Sequence, residues 1–157
     1  MKIVVLAGGT STERDVSIVS GTMVCKALRE KGHQAILMDV FFGLKQIPES
    51  LFPEEYDVEG AAEEIRSHND SLAEAVKARR EFFGPHVIEI CQKADVVFMA
   101  LHGANGEDGK VQAAFDLFGI PYTGTGYLSS AVAMDKGLTK QLSLIHISEP
   151  TRQEAIS

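Results

Sequence analysis

Lys2-Ile3-Val4-Val5-Leu6-Ala7-Gly8-Gly9 opens a stretch that runs to Val40 and decides the fold. Ile3 to Ala7 is a short apolar run stopped by paired glycines, and Val16, Val19, Met23, Val24, Ala27 and Leu28 then recur at helical spacing until Lys31-Gly32 closes the pattern. That stripe predicts the core-facing side of a helix. Gln34 to Val40 (Gln-Ala-Ile-Leu-Met-Asp-Val) supplies a second strand. Strand, glycine turn, helix and strand make a βαβ unit, which implies a right-handed crossover and a parallel sheet. The expected class is therefore α/β, a parallel sheet flanked by helices.

Working outward, Asp95-Val96-Val97-Phe98-Met99-Ala100 reads as another buried strand. It empties into Leu101-His102-Gly103-Ala104-Asn105-Gly106-Glu107-Asp108-Gly109, a polar loop at the strand's carboxyl end, where open α/β sheets place their ligands. Val111, Ala114, Phe115 and Phe118 then predict an amphipathic helix stopped by Gly119. A short strand at Ile120 to Thr123 and helices near Leu128 to Ala133 and after Asp135 complete the pattern. Between the two stretches, Phe41 to Gly84 carries Pro48, Pro53 and many acids, with Leu72, Val76, Arg80 and Phe83 as its clearest helical stripe. Loops and one or two surface helices are expected there, the charges from Glu54 to Glu81 forming a solvated face. Val87 to Lys93 is a short helix.

The totals set bounds. The 157 residues suit one core of ordinary size, and 45% hydrophobic with 24% charged is a soluble globular balance. A net charge of -7 leaves no broad cationic surface for nucleic acid or anionic lipid. The two cysteines, Cys25 and Cys91, lack metal-ligand or C-x-x-C spacing and read as reduced, buried thiols of a cytoplasmic protein. The first apolar run is too short for a signal peptide or a membrane span.

Several residues could carry chemistry. The loop Gly8-Gly9-Thr10-Ser11-Thr12-Glu13-Arg14-Asp15 lacks both the P-loop and the G-x-G-x-x-G pattern, so its glycines read as a tight turn. Glu13 is placed to hold a ligand ammonium group, or else to cap a helix or offset its dipole. His102, at a strand exit, can donate to a carboxylate or move a proton near neutral pH, with Gly103, Gly106 and Gly109 allowing close backbone approach. Glu107 and Asp108 could hold a cation, but two acids just ahead of a helix more simply satisfy its free N–H groups. Lys136 could reach a phosphate. Asp39 lies where a dinucleotide fold places its ribose acid.

Taken in order, Gly8-Gly9-x-Ser11-x-Glu13-Arg14-x-Val16-Ser17-x-x-Ser20-Gly21, Ala100-Leu101-His102-Gly103, Gly106-Glu107-Asp108-Gly109, Gln112, Pro121-Tyr122-Thr123-Gly124 and Met134-Asp135-Lys136 form a specific set. The set resembles the amino-terminal part of the D-alanine-D-alanine ligase family, ATP-grasp enzymes of bacterial cell-wall synthesis. The resemblance covers Met1 to about Gln141 and is loose from Phe41 to Lys93. It implies a Rossmann-like, pre-ATP-grasp sheet. It also implies that ATP phosphorylates the carboxylate of one D-alanine and that the amine of a second attacks the acyl phosphate, with Mg²⁺ neutralising phosphate charge. On the matching positions Glu13 would hold the first D-alanine's ammonium, and His102 would assist at its carboxylate or the transferring phosphoryl group. Ser17 and Gly103 would line the substrate, and Lys136 would reach ATP phosphates. No position is assigned to a metal. The complete enzyme is expected to be a cytoplasmic homodimer.

The expected division is a substrate domain at 1–133, the start of an ATP-grasp domain at 134–142, and a tail at 143–157. Ser143-Leu144-Ile145-His146-Ile147-Ser148-Glu149-Pro150-Thr151-Arg152 resembles translated sequencing-adapter read-through, so the tail is read as non-native and the chain as an inactive fragment that binds no cofactor tightly. Two other readings are a non-catalytic dimerisation or interaction module derived from the ligase, and a nucleotide-binding domain built on Gly8-Gly9 and Asp39.

Overall fold

The computed structural model describes residues 1–146. The expected non-native tail lies outside the described residues from position 147 onward. Its elements are β1 (Lys2–Ala7), α1 (Arg14–Glu30), β2 (Gln34–Asp39), α2 (Val58–Ser67), a 3-10 turn (Asn69–Ser71), α3 (Leu72–Ala78), α4 (Val87–Gln92), β3 (Val96–Met99), α5 (Lys110–Phe118), α6 (Tyr127–Met134) and α7 (Lys136–His146). No described helix is long and apolar enough to cross a membrane.

The three strands are parallel in the order β2-β1-β3, with Lys2 opposite Gln34, Ala7 opposite Asp39, and Ile3 opposite Val96. Central β1 is buried on both faces, as strands of a parallel sheet covered by helices must be. Val4 and Leu6 face a core that includes Ile90, Cys91, Val111 and Phe115, whereas Ile3, Val5 and Ala7 face one with Ile18, Cys25, Val58, Ala62 and Ile65. The sheet thus sits between α1 and α2 on one side and α4 and α5 on the other. The strand expected at Ile120 to Thr123 shrinks to a single parallel bridge, Val97 to Tyr122. Pro121 accepts from the Val97 N–H but has no N–H of its own to extend the ladder.

The core face of α1 is not the one that the apolar stripe predicts. Val16, Val19 and Met23 are exposed, at 54%, 50% and 67%, while Ser17, Ile18, Gly21, Thr22 and Cys25 are buried. The reason is close approach: a Cβ at Gly21 would stand 2.8 Å from Ala7 Cβ and 3.0 Å from Leu37 Cδ1. No side chain fits at Gly21, where the helix comes nearest the sheet, and Ser17, Ile18, Thr22 and Cys25 fill the space around it. Val24 and Leu28 alone of the expected stripe pack against that core.

The acidic middle segment holds the expected surface helices, and its acids from Glu54 to Glu81 are exposed. Within it α2 buries Val58, Ala62 and Ile65, and the Asp57 carboxylate caps the helix by accepting from the Gly60 N–H at 2.9 Å. The stripe Leu72, Val76, Arg80 and Phe83 does not form one helix. The chain leaves α3 at Arg79, whose backbone is extended and whose guanidinium sits 4.1 Å from the Phe41 ring centroid. Val76 is exposed, and Phe83 reaches the core from a turn, stacked on Phe115 at 6.0 Å. Both cysteines are buried free thiols, and burial pushes Cys25 up to about 11 and Cys91 to about 12.

Candidate functional site

Strand order β2-β1-β3 reverses direction at β1, which opens a crevice at the carboxyl ends of β1 and β3, the usual ligand position in such sheets. Two loops meet there, Gly8 to Glu13 after β1 and Leu101 to Gly109 after β3. The Ser11 hydroxyl ties them together by donating to the His102 carbonyl at 2.7 Å.

The base of the first loop is filled by a buried ion pair. Arg14 and Asp39 are 4% and 2% exposed, with Nη2 of Arg14 2.5 Å from Oδ2 of Asp39. Arg14 also donates to Gly9 O at 2.8 Å, Ile65 O at 3.0 Å and Asn69 Oδ1 at 2.7 Å. The other Asp39 oxygen accepts from the Phe41 and Phe42 N–H groups at 2.8 and 3.2 Å. Its lone pairs are committed, so the reading of Asp39 as a ribose acid is corrected, and with it the nucleotide-binding module on Gly8-Gly9. Sequence reasoning missed this pair. Its signal was a basic residue at a helix start facing an acid at the end of the neighbouring strand.

Ser17, expected on the substrate, is 0% exposed. Its hydroxyl accepts from the Gly8 N–H at 2.9 Å and donates to the Ala100 carbonyl at 2.7 Å. It latches the exits of β1 and β3 and leaves no surface for a ligand. Glu13, in contrast, is exposed at the first position before α1, and its side chain makes no cap. Capping is therefore removed, and dipole compensation at the start of α1 stands beside the ammonium reading. The carboxylate lies over Gly103, where a Cβ would come within 2.6 Å of Glu13 Oε2 and where φ is +71°. Glycine at 103 is what lets the two loops close on one another.

His102 stands between the loops, about a third exposed, with Nε2 3.2 Å from the Ser20 hydroxyl of α1 and Nδ1 4.0 Å from Glu107 Oε1. The other Glu107 oxygen accepts from the Gly103 N–H at 2.8 Å, so this acid serves its own loop rather than the start of α5. Asp108 does serve the helix start, accepting from the Lys110 N–H at 3.3 Å and pairing with Lys110 Nζ at 2.9 Å. Beyond His102 opens a cavity of about 460 Å³ lined by residues that include Met99, Glu107, Gln112, Thr125 and Met134. Gln112 is buried and donates to the Gly106 carbonyl at 2.7 Å, fixing the loop from beneath. Lys136 is exposed at the start of α7, two residues past Met134 on the cavity wall. Glu13, Gly103 and His102 are thus brought together, while Lys136 does not line the cavity and Ser17 is withdrawn. Ser11, Ser20 and Asn69 complete the arrangement and were not singled out as functional from sequence.

This arrangement can hold a small zwitterion, with an anion at Glu13 for an ammonium group and an imidazole for the opposite end. Residues 2–125 match a family model described as D-ala D-ala ligase N-terminus. The D-alanine--D-alanine ligase of Lacticaseibacillus casei is 44% identical over 93% of this chain and 42% of its own length. That of Pediococcus pentosaceus is 43% identical over 92% of the chain and 43% of its own length. Among solved structures, the Bacillus anthracis D-alanine--D-alanine ligase complexed with ATP aligns with a TM-score of 0.60 at 25% identity, covering all of this chain and 42% of that one. The Coxiella burnetii ligase aligns at 0.58 with 26% identity, over 91% and 41%. The chain spans less than half the length of these relatives.

Proposed function

This chain belongs to the D-alanine-D-alanine ligase amino-terminal family, and from that premise we propose that it holds the first D-alanine for an ATP-dependent ligation yielding D-alanyl-D-alanine. The observation that carries the reading is Glu13: an exposed carboxylate, free of capping duty, set against Gly103 and one loop from His102. An α-ammonium seated on Glu13 forms a charge-assisted hydrogen bond. The substrate carboxylate then points along the crevice towards His102, whose ring can donate to it or to a transferring phosphoryl group. Lys136, at the start of α7, would supply a cation for ATP phosphates.

Mg²⁺ is another matter. Among the described residues no group of three His, Cys, Asp or Glu side chains could hold a metal ion, so no step is routed through one. The reading keeps 1–133 as the substrate domain, with the ATP-grasp portion beginning at Met134. The 157 residues alone are expected to bind D-alanine weakly and to release no ADP, because proximity and phosphate neutralisation need more groups than this cavity assembles.

A chimera tests the proposal. With residues 1–142 replacing the matching part of the Lacticaseibacillus casei ligase, D-alanine-dependent ADP release is expected. Glu13→Gln in that chimera should lower kcat/KM for D-alanine by about 100-fold or more, the loss expected when a charge-assisted contact to substrate goes. A folded chimera without D-alanine-dependent turnover, or an unaffected Glu13→Gln variant, would overturn the reading.

A further inference from the structure

We infer that Ser20 is a positioning residue that holds the His102 ring in its orientation, while Glu107 sets the ring's tautomer. The histidine is held at three points, two of them on its ring. Its backbone carbonyl accepts from Ser11 Oγ at 2.7 Å, its Nδ1 faces Glu107 Oε1 at 4.0 Å, and its Nε2 lies 3.2 Å from Ser20 Oγ. Glu107 is itself anchored, its second oxygen accepting from the Gly103 N–H at 2.8 Å. An ionised carboxylate can only accept, so its field draws the single proton of a neutral imidazole to Nδ1. Nε2 is then an acceptor, and Ser20 is the donor that reaches it.

The neighbouring hydroxyls sharpen the assignment. Thr22 turns its hydroxyl back to the Ile18 carbonyl at 2.7 Å, the common fate of a hydroxyl inside a helix. Ser17, three residues before Ser20, spends its hydroxyl on the Ala100 carbonyl at 2.7 Å. Residues three apart lie on one ridge of a helix, so Ser17 and Ser20 form a ladder against the exit of β3. The lower rung fixes the strand end and the upper rung fixes the ring. A hydroxyl also has both a donor and lone pairs, so it donates to neutral Nε2 and rotates to accept from Nε2–H once the ring is protonated. His102 can gain or lose a proton without turning away from the crevice.

The role for His102 rests on the functional reading above, but the test does not. Imidazole ¹⁵N spectra of the 157-residue chain, recorded where the ring is neutral and without D-alanine, report the Nδ1–H and Nε2–H populations directly. The Nδ1–H form is expected to dominate. Glu107→Gln should lower the ratio of Nδ1–H to Nε2–H by about threefold or more, whereas Ser20→Ala should leave that ratio within about twofold but weaken the nuclear Overhauser contacts between the ring and α1, which Ser20→Thr should restore. Amide spectra confirm that each variant keeps its fold. If Ser20→Ala does not fold, Ser20→Cys weakens the same contact and should weaken the same ring contacts. A dominant Nε2–H form in the parent chain, unchanged populations in a folded Glu107→Gln variant, or unchanged ring contacts in a folded Ser20→Ala or Ser20→Cys variant, overturns the inference. Either result leaves D-alanine binding to be judged by the chimera alone.

Discussion

The loops after β1 and β3 leave the same end of the sheet, and both turn on glycines at positive φ, yet one is locked and the other is open. Gly8 has φ +76° and Gly103 has φ +71°. A Cβ on Gly8 would lie 2.7 Å from Asp39 Oδ2 and 2.8 Å from Arg14 Nη1, whereas one on Gly103 would lie 2.6 Å from Glu13 Oε2. The clashes are alike in distance and unlike in consequence. Arg14 and Asp39 are buried and bonded on every side, while Glu13 is exposed and free to swing. Glycine in such a loop therefore has two meanings: room for a buried ion pair at its base, and room for a neighbouring loop to close on it.

Removing the lock should have the largest effect. Arg14→Ala leaves the Asp39 carboxylate buried without its partner, and a loss of about 3–5 kcal/mol is expected in urea denaturation, a large share of a small domain's stability. The double variant Arg14→Met, Asp39→Leu removes both charges and should recover most of that loss. If Arg14→Ala costs under about 1 kcal/mol, the first loop is not locked. The glycines come next. Gly8→Ala should cost on the order of 3 kcal/mol, from its left-handed backbone and from displacing a buried pair. Gly103→Ala should cost only about 1 kcal/mol, because Glu13 can move aside. In the chimera, however, Gly103→Ala should raise the KM for D-alanine while Gly8→Ala leaves a folded remainder with normal KM. Equal stability losses from the two would erase the distinction.

The fold was legible because β1, α1 and β2 follow one another with short turns, and because β3 is an unbroken apolar run. The inward side of α1 was not legible. Apolar spacing assumes that large residues face the core, and here the sheet lies so close that Ser17 and Gly21 face it instead. Glu13 and His102 could be read from their places at strand exits, since position alone brings such groups to the crevice. Ser17 could not be judged the same way, because its burial depends on how close α1 stands to Ala100. Asp39 misled for a related reason: an acid at a strand end reads as a ligand group until its partner, twenty-five positions away, is found.

A smaller effect separates the open loop's own acids and closes the contrast with the locked one. Burial pushes the Asp108 carboxyl up. The Lys110 ammonium and hydrogen bonds from the Lys110 and Asn105 backbone outweigh that push and hold it below the ordinary carboxylate range. A carboxyl depressed in the folded state stabilises fully above its unfolded value of about 4, and that contribution fades as pH falls through the folded value. Lys110 is 70% exposed, so solvent and salt weaken the pair to about 0.5 kcal/mol. Lys110→Met should therefore lower stability by about that much at neutral pH in dilute buffer, less in high salt, and not at all once Asp108 is protonated. A Lys110→Met deficit that persists below about pH 2 would mean that the lysine stem, not its charge, anchors the start of α5. The open loop would then be held by packing, as the locked one is held by its ion pair.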